Sequence, residues 1–529
     1  RRVVAAEINT LSTQGCTDSL ANNYNPFASI DDSTCLYSPF VFGCTDTTAL
    51  NYNSLATVDD SSCCYNSGQL FSQIGQDIDG ESVSDRTGWS VSLSSDGNTV
   101  ATGAYNNDGN GSNSGHVRVF EKSLGMWIQI GDDIDGEASG DLSGRSVYLS
   151  SNGNIVAIGA PENDGNGNNS GHVRIYENIA GVWTQIGQDI DGESVMDGFG
   201  ESVSISSNGN TVAIGAPQNG SNFDNSNLNG GNAGHVRIYE NISGNWLQIG
   251  DDIDGEAMSD FSGDNVSLSG DGNTVAIGAQ YNDDNGSNSG HVRIYENIGS
   301  SWLQIGQDIN GESTMDNSGR SISLSSDGNI IAIGAPFNDG NGNNAGHVRI
   351  FENILGVWSQ IGQDIDGEAV NNACGYSVSL SSDGSTIAIG CTGTLWGSVR
   401  FYKNILGSWI KIGQDINGVD TVGGYTSGAS GNAISLSSDG ISIAIGDWCN
   451  GLTDIYGSAG NLRVYSLDSS NTTPCSDLGC LDPLALNFDP YATIDDSSCV
   501  YPNYGCIDSL AINYDPLSNI DDGSCNYCT

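Results

Sequence analysis

The sequence predicts an all-β protein: a seven-bladed β-propeller closed by an N-terminal strand, with two small disulfide-stapled modules at each end. Three observations predict it. The word QIGQDIDGES, or a close copy, starts at residues 73, 129, 185, 248, 304, 360 and 411. Each full interval between copies holds the same four strand-like runs. The first and last intervals are each incomplete, in a way that lets one complete the other.

The chain begins with an extended segment, 1–14, whose RRVVAAEINTLS is apolar and β-prone enough to add a strand to a neighbour. Two modules follow, GCTDSLANNYNPFASIDDSTC (15–35) and GCTDTTALNYNSLATVDDSSC (43–63). Two more end it after a linker at 469–478: GCLDPLALNFDPYATIDDSSC (479–499) and GCIDSLAINYDPLSNIDDGSC (505–525). Units this short bury no core and need a staple or a metal. The terminal cysteines of each predict Cys16–Cys35, Cys44–Cys63, Cys480–Cys499 and Cys506–Cys525. Each bridge would contribute about 3 kcal/mol by restricting the unfolded chain. Asp18, Asn25, Asp31 and Asp32, with counterparts such as Asp495 and Asp521, are candidate calcium ligands.

The propeller is expected over 68–468. Its usual step is 56 residues; one step of 63 carries an insertion near 219–232 and one of 51 a shortened CTGTLWGSVR. In the second interval the runs are GRSVYLS (144–150), NIVAIGA (154–160), GHVRIYEN (171–178) and VWTQIG (182–187), here termed strands a to d. Alternation and β-branched residues mark each as a strand, and the Asn-Gly in SSNGN marks a tight hairpin between a and b. The last interval lacks strand d, while a lone strand d, LFSQIG (70–75), precedes the first. Pairing these two ends closes the ring and leaves no open edge. Cys64 and Cys475 lie just outside that seam and are expected to bond across it. Cys374 and Cys391 flank one hairpin and form a further candidate pair; Cys449 and Cys528 pair with each other or serve contacts between chains.

Composition narrows the function. Acids outnumber bases 64 to 15, a formal net charge of -49, which argues against nucleic acid and against charge-driven adhesion to anionic membrane. No apolar run reaches the roughly 18 residues of a membrane span. Fourteen cysteines point to an oxidising, extracellular or cell-surface setting. The chain starts at Arg1, without an initiator Met, and is read as a mature or trimmed secreted form.

The repeated D-I-D-G-E-x-x-x-D places Asp77, Asp79, Glu81 and Asp85 in the first d-to-a connection. Asp133, Asp135, Glu137 and Asp141 follow in the second, Asp189, Asp191, Glu193 and Asp197 in the third, and Asp252, Asp254, Glu256 and Asp260 in the fourth. These connections share one face with b-to-c loops such as NDGNGNNSG (163–171). Four acids in nine residues repel unless a cation sits among them, so they are calcium candidates. The glycine stands fourth rather than sixth, so the backbone path differs from an EF-hand. A second use is equally open. Every strand c carries one arginine (Arg118, Arg174, Arg237, Arg293, Arg349, Arg400, Arg463), and an arginine once per blade calls for a carboxylate once per blade. The five histidines, His116, His172, His235, His291 and His347, all open strand c, where blades six and seven have Ser398 and Asn461. Such repetition reads as scaffold, as does the tryptophan that opens each strand d from Trp127 to Trp409. Sequons at Asn110, Asn168, Asn219, Asn241, Asn285 and Asn471 are candidate glycosylation sites; Asn265 also fits the pattern.

The stretch GFGESVSISSNGNTVAIGAP (198–217), followed by GHVRIYEN, resembles the FG-GAP repeat of integrin alpha-subunit propellers. The resemblance covers about 70–467 and implies a seven-bladed, extracellular, adhesive propeller. In that family a calcium loop joins the first two strands of a repeat; SSDGN or SSNGN here is too short for one. The cysteine modules loosely resemble thrombospondin type 3 repeats. Three functions follow as expectations. The first is a structural or adhesive subunit that assembles head to tail with copies of itself into a filament or surface layer. The second is a calcium-dependent adhesin for glycans or extracellular proteins. The third is a glycoside hydrolase, which needs only two carboxylates. The evenness of the repeated acids favours the non-enzymatic readings.

Overall fold

The computed structural model describes residues 71–220, 231–393, 396–418, 430–448 and 459–467, with four short strand pairs nearer the termini. The chain divides into two compact units, Gly68–Ser469 on one hand and Arg1–Ser67 with Ser470–Thr529 on the other.

The larger unit is a seven-bladed propeller. In the second blade strand a is Ser146–Leu149, b Ile155–Ala160, c His172–Ile179 and d Val182–Gln185, all antiparallel in that order. The a–b turn is set by short polar side chains: Ser150 Oγ donates to Asn152, which accepts from the Asn154 N–H, while Gly153 takes φ +71°. The seventh blade is closed as the sequence predicts. Phe71–Gln73 pairs antiparallel with Asn461–Leu467, with Leu467 opposite Phe71 and Tyr465 opposite Gln73.

Strand d does not end at QIG, as the sequence reading had it. After a short irregularity it resumes as Ile190–Asp191, pairing with Val173 and His172. The cause is the isoleucine of D-I-D: Ile134, Ile190, Ile253, Ile309 and Ile365 are buried and draw the chain back onto strand c. The d-to-a connection therefore begins only at the following glycine.

The core lies between blades. One cluster joins Val173 and Ile175 of the second blade to Phe199, Val203, Val212 and Ile214 of the third. Full burial of each such side chain contributes about 1.5–3 kcal/mol. The repeated tryptophan locks neighbours together: Trp183 Nε1 donates to Ile130 O of the preceding blade at 2.9 Å, and Trp246, Trp302, Trp358 and Trp409 do the same. Where the tryptophan is replaced by Phe71, the ring stacks on Phe401 at 4.1 Å. The glycine before the last alanine of strand b is required by close approach, since a Cβ on Gly159 would lie 2.0 Å from Gly200 O of the next blade.

In the sixth blade Cys374 and Cys391 form a disulfide between strand a (Cys374–Leu380) and strand b (Thr386–Cys391). The other predicted cysteine pairs, Cys64 with Cys475 included, lie outside the described residues, as do Cys449 and Cys528. Each terminal module holds one short parallel pair: Gln14–Gly15 with Ile30–Asp31, Phe42–Gly43 with Val58–Asp59, Leu478–Gly479 with Ile494–Asp495, and Tyr504–Gly505 with Ile520–Asp521. The same register recurs in all four. Asp18 and Asp32 fall outside the described residues.

Candidate functional site

The four acids of each D-I-D-G-E-x-x-x-D do not converge on one point. The last is a brace. Asp141 is buried and accepts from the Ala138 N–H and from Asn163 Nδ2 of the b-to-c loop, at 2.9 and 3.1 Å. Asp85, Asp197 and Asp260 repeat this with Asn107, Asn219 and Asn282. Burial pushes Asp197 up to about 6, against the bonds from Ser194 and Asn219 that favour its charged form. Asn219, a candidate glycosylation site by its sequon, is 2% exposed and its amide donates to Asp197, so it is not open to a glycan. Asn110, Asn168 and Asn285 lie exposed in b-to-c loops, and Asn241 is half-buried; Asn471 lies outside the described residues.

The second Asp offers its backbone. Arg118, Arg174, Arg293 and Arg349 donate Nη2 to the carbonyls of Asp79, Asp135, Asp254 and Asn310 of the preceding blade, at 2.6–2.7 Å; Arg237 reaches Asp191 O at 3.3 Å. The Asp79, Asp135 and Asp191 carboxyls are pushed up, first by burial and then by the neighbouring first Asp.

The first Asp and the Glu face histidine, but across loops. The Glu of one connection meets the His and first Asp of the next blade, forming Glu81/His116/Asp133, Glu137/His172/Asp189, Glu193/His235/Asp252 and Glu312/His347/Asp364. The fourth blade adds a b-to-c residue, giving Glu256/Asp284/His291/Asp308. In each group one ligand atom per residue lies within 4.8 Å of the others. Glutamate serves two partners: Glu137 keeps Oε1 3.6 Å from Arg174 Nη1 and turns Oε2 to 3.9 Å from His172 Nδ1. Burial, then the adjacent arginine, lowers all five histidines to about 4, so they are neutral at pH 7. These groups could hold a metal ion. Sequence reading placed the acids and histidines separately but missed their convergence, because the ligands of one group come from three segments of two blades.

The last two blades depart together. In the sixth, Ser398 replaces His, and Lys411 stands where other blades have Gln. Its Nζ lies 2.8 Å from Glu368 Oε1 and 2.7 Å from Asp415 Oδ1, the counterparts of the Glu and first Asp. In the seventh, Val419 replaces Glu, and Asn461 Nδ2 donates to Asp77 Oδ2 at 3.4 Å.

A second candidate site is the axial mouth, a cavity of about 350 Å³ lined by strand a of every blade. The residue that follows a glycine at the start of each strand a differs around the ring: Trp89, Arg145, Glu201, Asp264, Arg320, Tyr376 and Asn432. Arg145 Nη2 pairs with Glu201 at 2.8 Å and its guanidinium lies 4.4 Å from the Trp89 ring. Arg320 donates to Tyr376 Oη at 2.8 Å and lies 4.0 Å from Asp264. Burial, outweighing the pull of Arg320, pushes Asp264 up to about 6. The signal was present in the sequence: this is a repeat position whose chemistry changes from blade to blade.

The a–b hairpins, the calcium position of the resembling family, are internally satisfied. Asp96 accepts from Ser94 Oγ and from the Asn98 N–H and amide, which together outweigh burial and lower its carboxyl. No helix among the described residues is long and apolar enough to cross a membrane.

Residues 78–120 and 253–295 match the FG-GAP repeat family. No curated protein matches the chain. Among solved structures, the chain is similar to hydrazine synthase of Kuenenia stuttgartiensis, at 12% identity and TM-score 0.44, over 71% of this chain and 95% of that one. It is also similar to a 6-phosphogluconolactonase candidate of Bacteroides uniformis, at 13% identity and TM-score 0.43, over 62% and 85% respectively.

Proposed function

We propose that this is an extracellular adhesive protein that binds a polar ligand, a glycan or an extracellular protein segment, at the axial mouth of its propeller. The observation that carries this reading is the mouth itself. Six of its seven rim residues are aromatic or charged, in a ring whose other positions repeat. Aromatic faces beside paired guanidinium and carboxylate groups suit hydroxyl-rich or peptide ligands. The FG-GAP matches support the adhesive and extracellular setting. The test is binding of the intact chain to arrays of glycans and extracellular proteins, alongside Trp89→Ala and Arg320→Ala. A ligand held by the native chain and lost by both variants is expected. Binding that both variants retain would sink the reading.

The terminal modules support a second role for the same protein, self-assembly. Each terminal segment carries two modules with the same short parallel pair, repeated units that contacts between neighbouring chains could reuse. Calcium on the module acids, Asp31, Asp495 and Asp521 among them, would stiffen those contacts. Electron microscopy of native material with and without a calcium chelator tests this. Filaments or sheets that fray on chelation are expected, and single discs under both conditions would contradict it.

A further inference from the structure

We infer that the five Glu–His–Asp groups between blades are divalent transition-metal sites, with zinc-like rather than calcium-like chemistry. Two independent observations carry this. The first is an unpartnered buried nitrogen. His291 is 1% exposed and His235 fully buried, each turns Nδ1 toward two carboxylates at 3.8–3.9 Å, and neither Nδ1 has a hydrogen-bond partner. A bare imidazole nitrogen among carboxylate oxygens is a donor set without an acceptor, and a metal ion supplies one.

The second observation comes from the blades that lack histidine. The sixth blade keeps both carboxylates, Glu368 and Asp415, and the chain supplies two cations to them: the Lys411 ammonium at 2.7–2.8 Å and the Arg400 guanidinium at 3.1 Å from each. The seventh loses Glu and His together, and a neutral amide, Asn461, serves Asp77. Where the acid pair persists without histidine, a positive charge fills the gap. Where histidine is present, the chain's nearest charge is the arginine, and it is already engaged with Glu Oε1 in the first, second, fourth and fifth blades.

The donor type selects the ion. One imidazole with two or three carboxylates suits zinc or a neighbouring first-row ion at 2.0–2.2 Å, roughly the distances such ligands make. Calcium asks for about six to eight oxygens and no nitrogen. The fourth blade should bind tightest, since Asp284 gives it a fourth donor where the first, second and fifth blades have Gly109, Gly165 and Gly340.

The test uses the full chain, stripped with chelator, reloaded with zinc, gel-filtered and analysed for bound metal. The expected content is about five zinc per chain, one for each group, with excess calcium failing to displace it. His291→Asn installs the residue that the seventh blade has at this position, and it should lose one equivalent. Glu256→Gln, on an exposed side chain, should weaken the same site if the histidine variant misfolds. Asp284→Gly should lower that site's affinity toward that of the other four. Zinc content unchanged in both His291→Asn and Glu256→Gln, or zinc fully displaced by calcium, would overturn the assignment.

Discussion

The fifth and sixth blades carry the same pair of carboxylates at the same place. In the fifth, Glu312 and Asp364 face the neutral, buried His347. In the sixth, Glu368 and Asp415 face Ser398, and Lys411 bridges them from the strand d position that Gln360 holds one blade earlier. Gln360 meanwhile donates to Asp364 at 2.6 Å, a neutral bond, and the arginine of the blade, Arg349, reaches only Glu312 of the pair, at 3.6 Å. The sixth blade also carries the Cys374–Cys391 disulfide across its first two strands. Across the first six blades the acid pair is constant and its counter-charge varies. The sixth blade encodes the cation in the chain, and the first five leave a nitrogen donor to recruit it.

The comparison holds only if the two blades are otherwise the same scaffold, and the largest effect checks that. Trp358→Ala and Trp409→Ala each remove a buried indole whose N–H reaches the preceding blade at 3.0 Å. Both should cost about 3–5 kcal/mol, equally, in urea unfolding; unequal losses would mean that the blades differ in packing as well as charge. Next comes the disulfide. Its half-cystines are 17 residues apart, so Cys374→Ala with Cys391→Ala should cost about 3 kcal/mol, and reducing agent should have no further effect on the sixth blade of that variant.

A smaller effect separates the blades by pH. His347 titrates near 4 in the fold, below its ordinary value of 6.5, because burial disfavours its charged form. The unfolded chain therefore takes the proton first. The stability this histidine contributes is complete above pH 6.5 and is lost as pH falls from 6.5 through 4. In metal-free protein, His347→Asn should flatten that loss by about 1–2 kcal/mol between pH 7.5 and 5. Ser398→Asn in the sixth blade should leave the slope unchanged. The smallest effect is Lys411→Gln. Its ammonium is partly exposed, so removing it should cost about 0.5–1 kcal/mol, falling with added salt.

Much of the fold was legible because propeller blades write their strands locally. The alternation in SVYLS and IVAIGA, the Asn-Gly hairpin and the orphan strand at 70–75 each carry their meaning within a few residues. The end of strand d was not, because Ile190 reads as part of an acidic loop until its burial against the next blade is seen. The site was less legible still. Glu137, His172 and Asp189 lie in three segments, and only the wedge between blades brings them together. Asn219 fits a sequon by its neighbours in sequence, yet its amide is claimed by Asp197, 22 residues earlier. The mouth was half visible: Arg145 and Arg320 stood outside the strand c arginines, but the ring they share with Trp89, Glu201, Asp264 and Tyr376 needs the closed propeller.

Each Glu–Asp pair requires a cation, supplied by lysine with arginine in the sixth blade and by metal on histidine in the first five. Converting the sixth blade to the fifth tests it most directly, by bound-zinc analysis of the double variant Ser398→His, Lys411→Gln after stripping and reloading. One zinc per chain more than the parent protein holds is expected under the same conditions. A folded double variant with the parent's zinc content would contradict it.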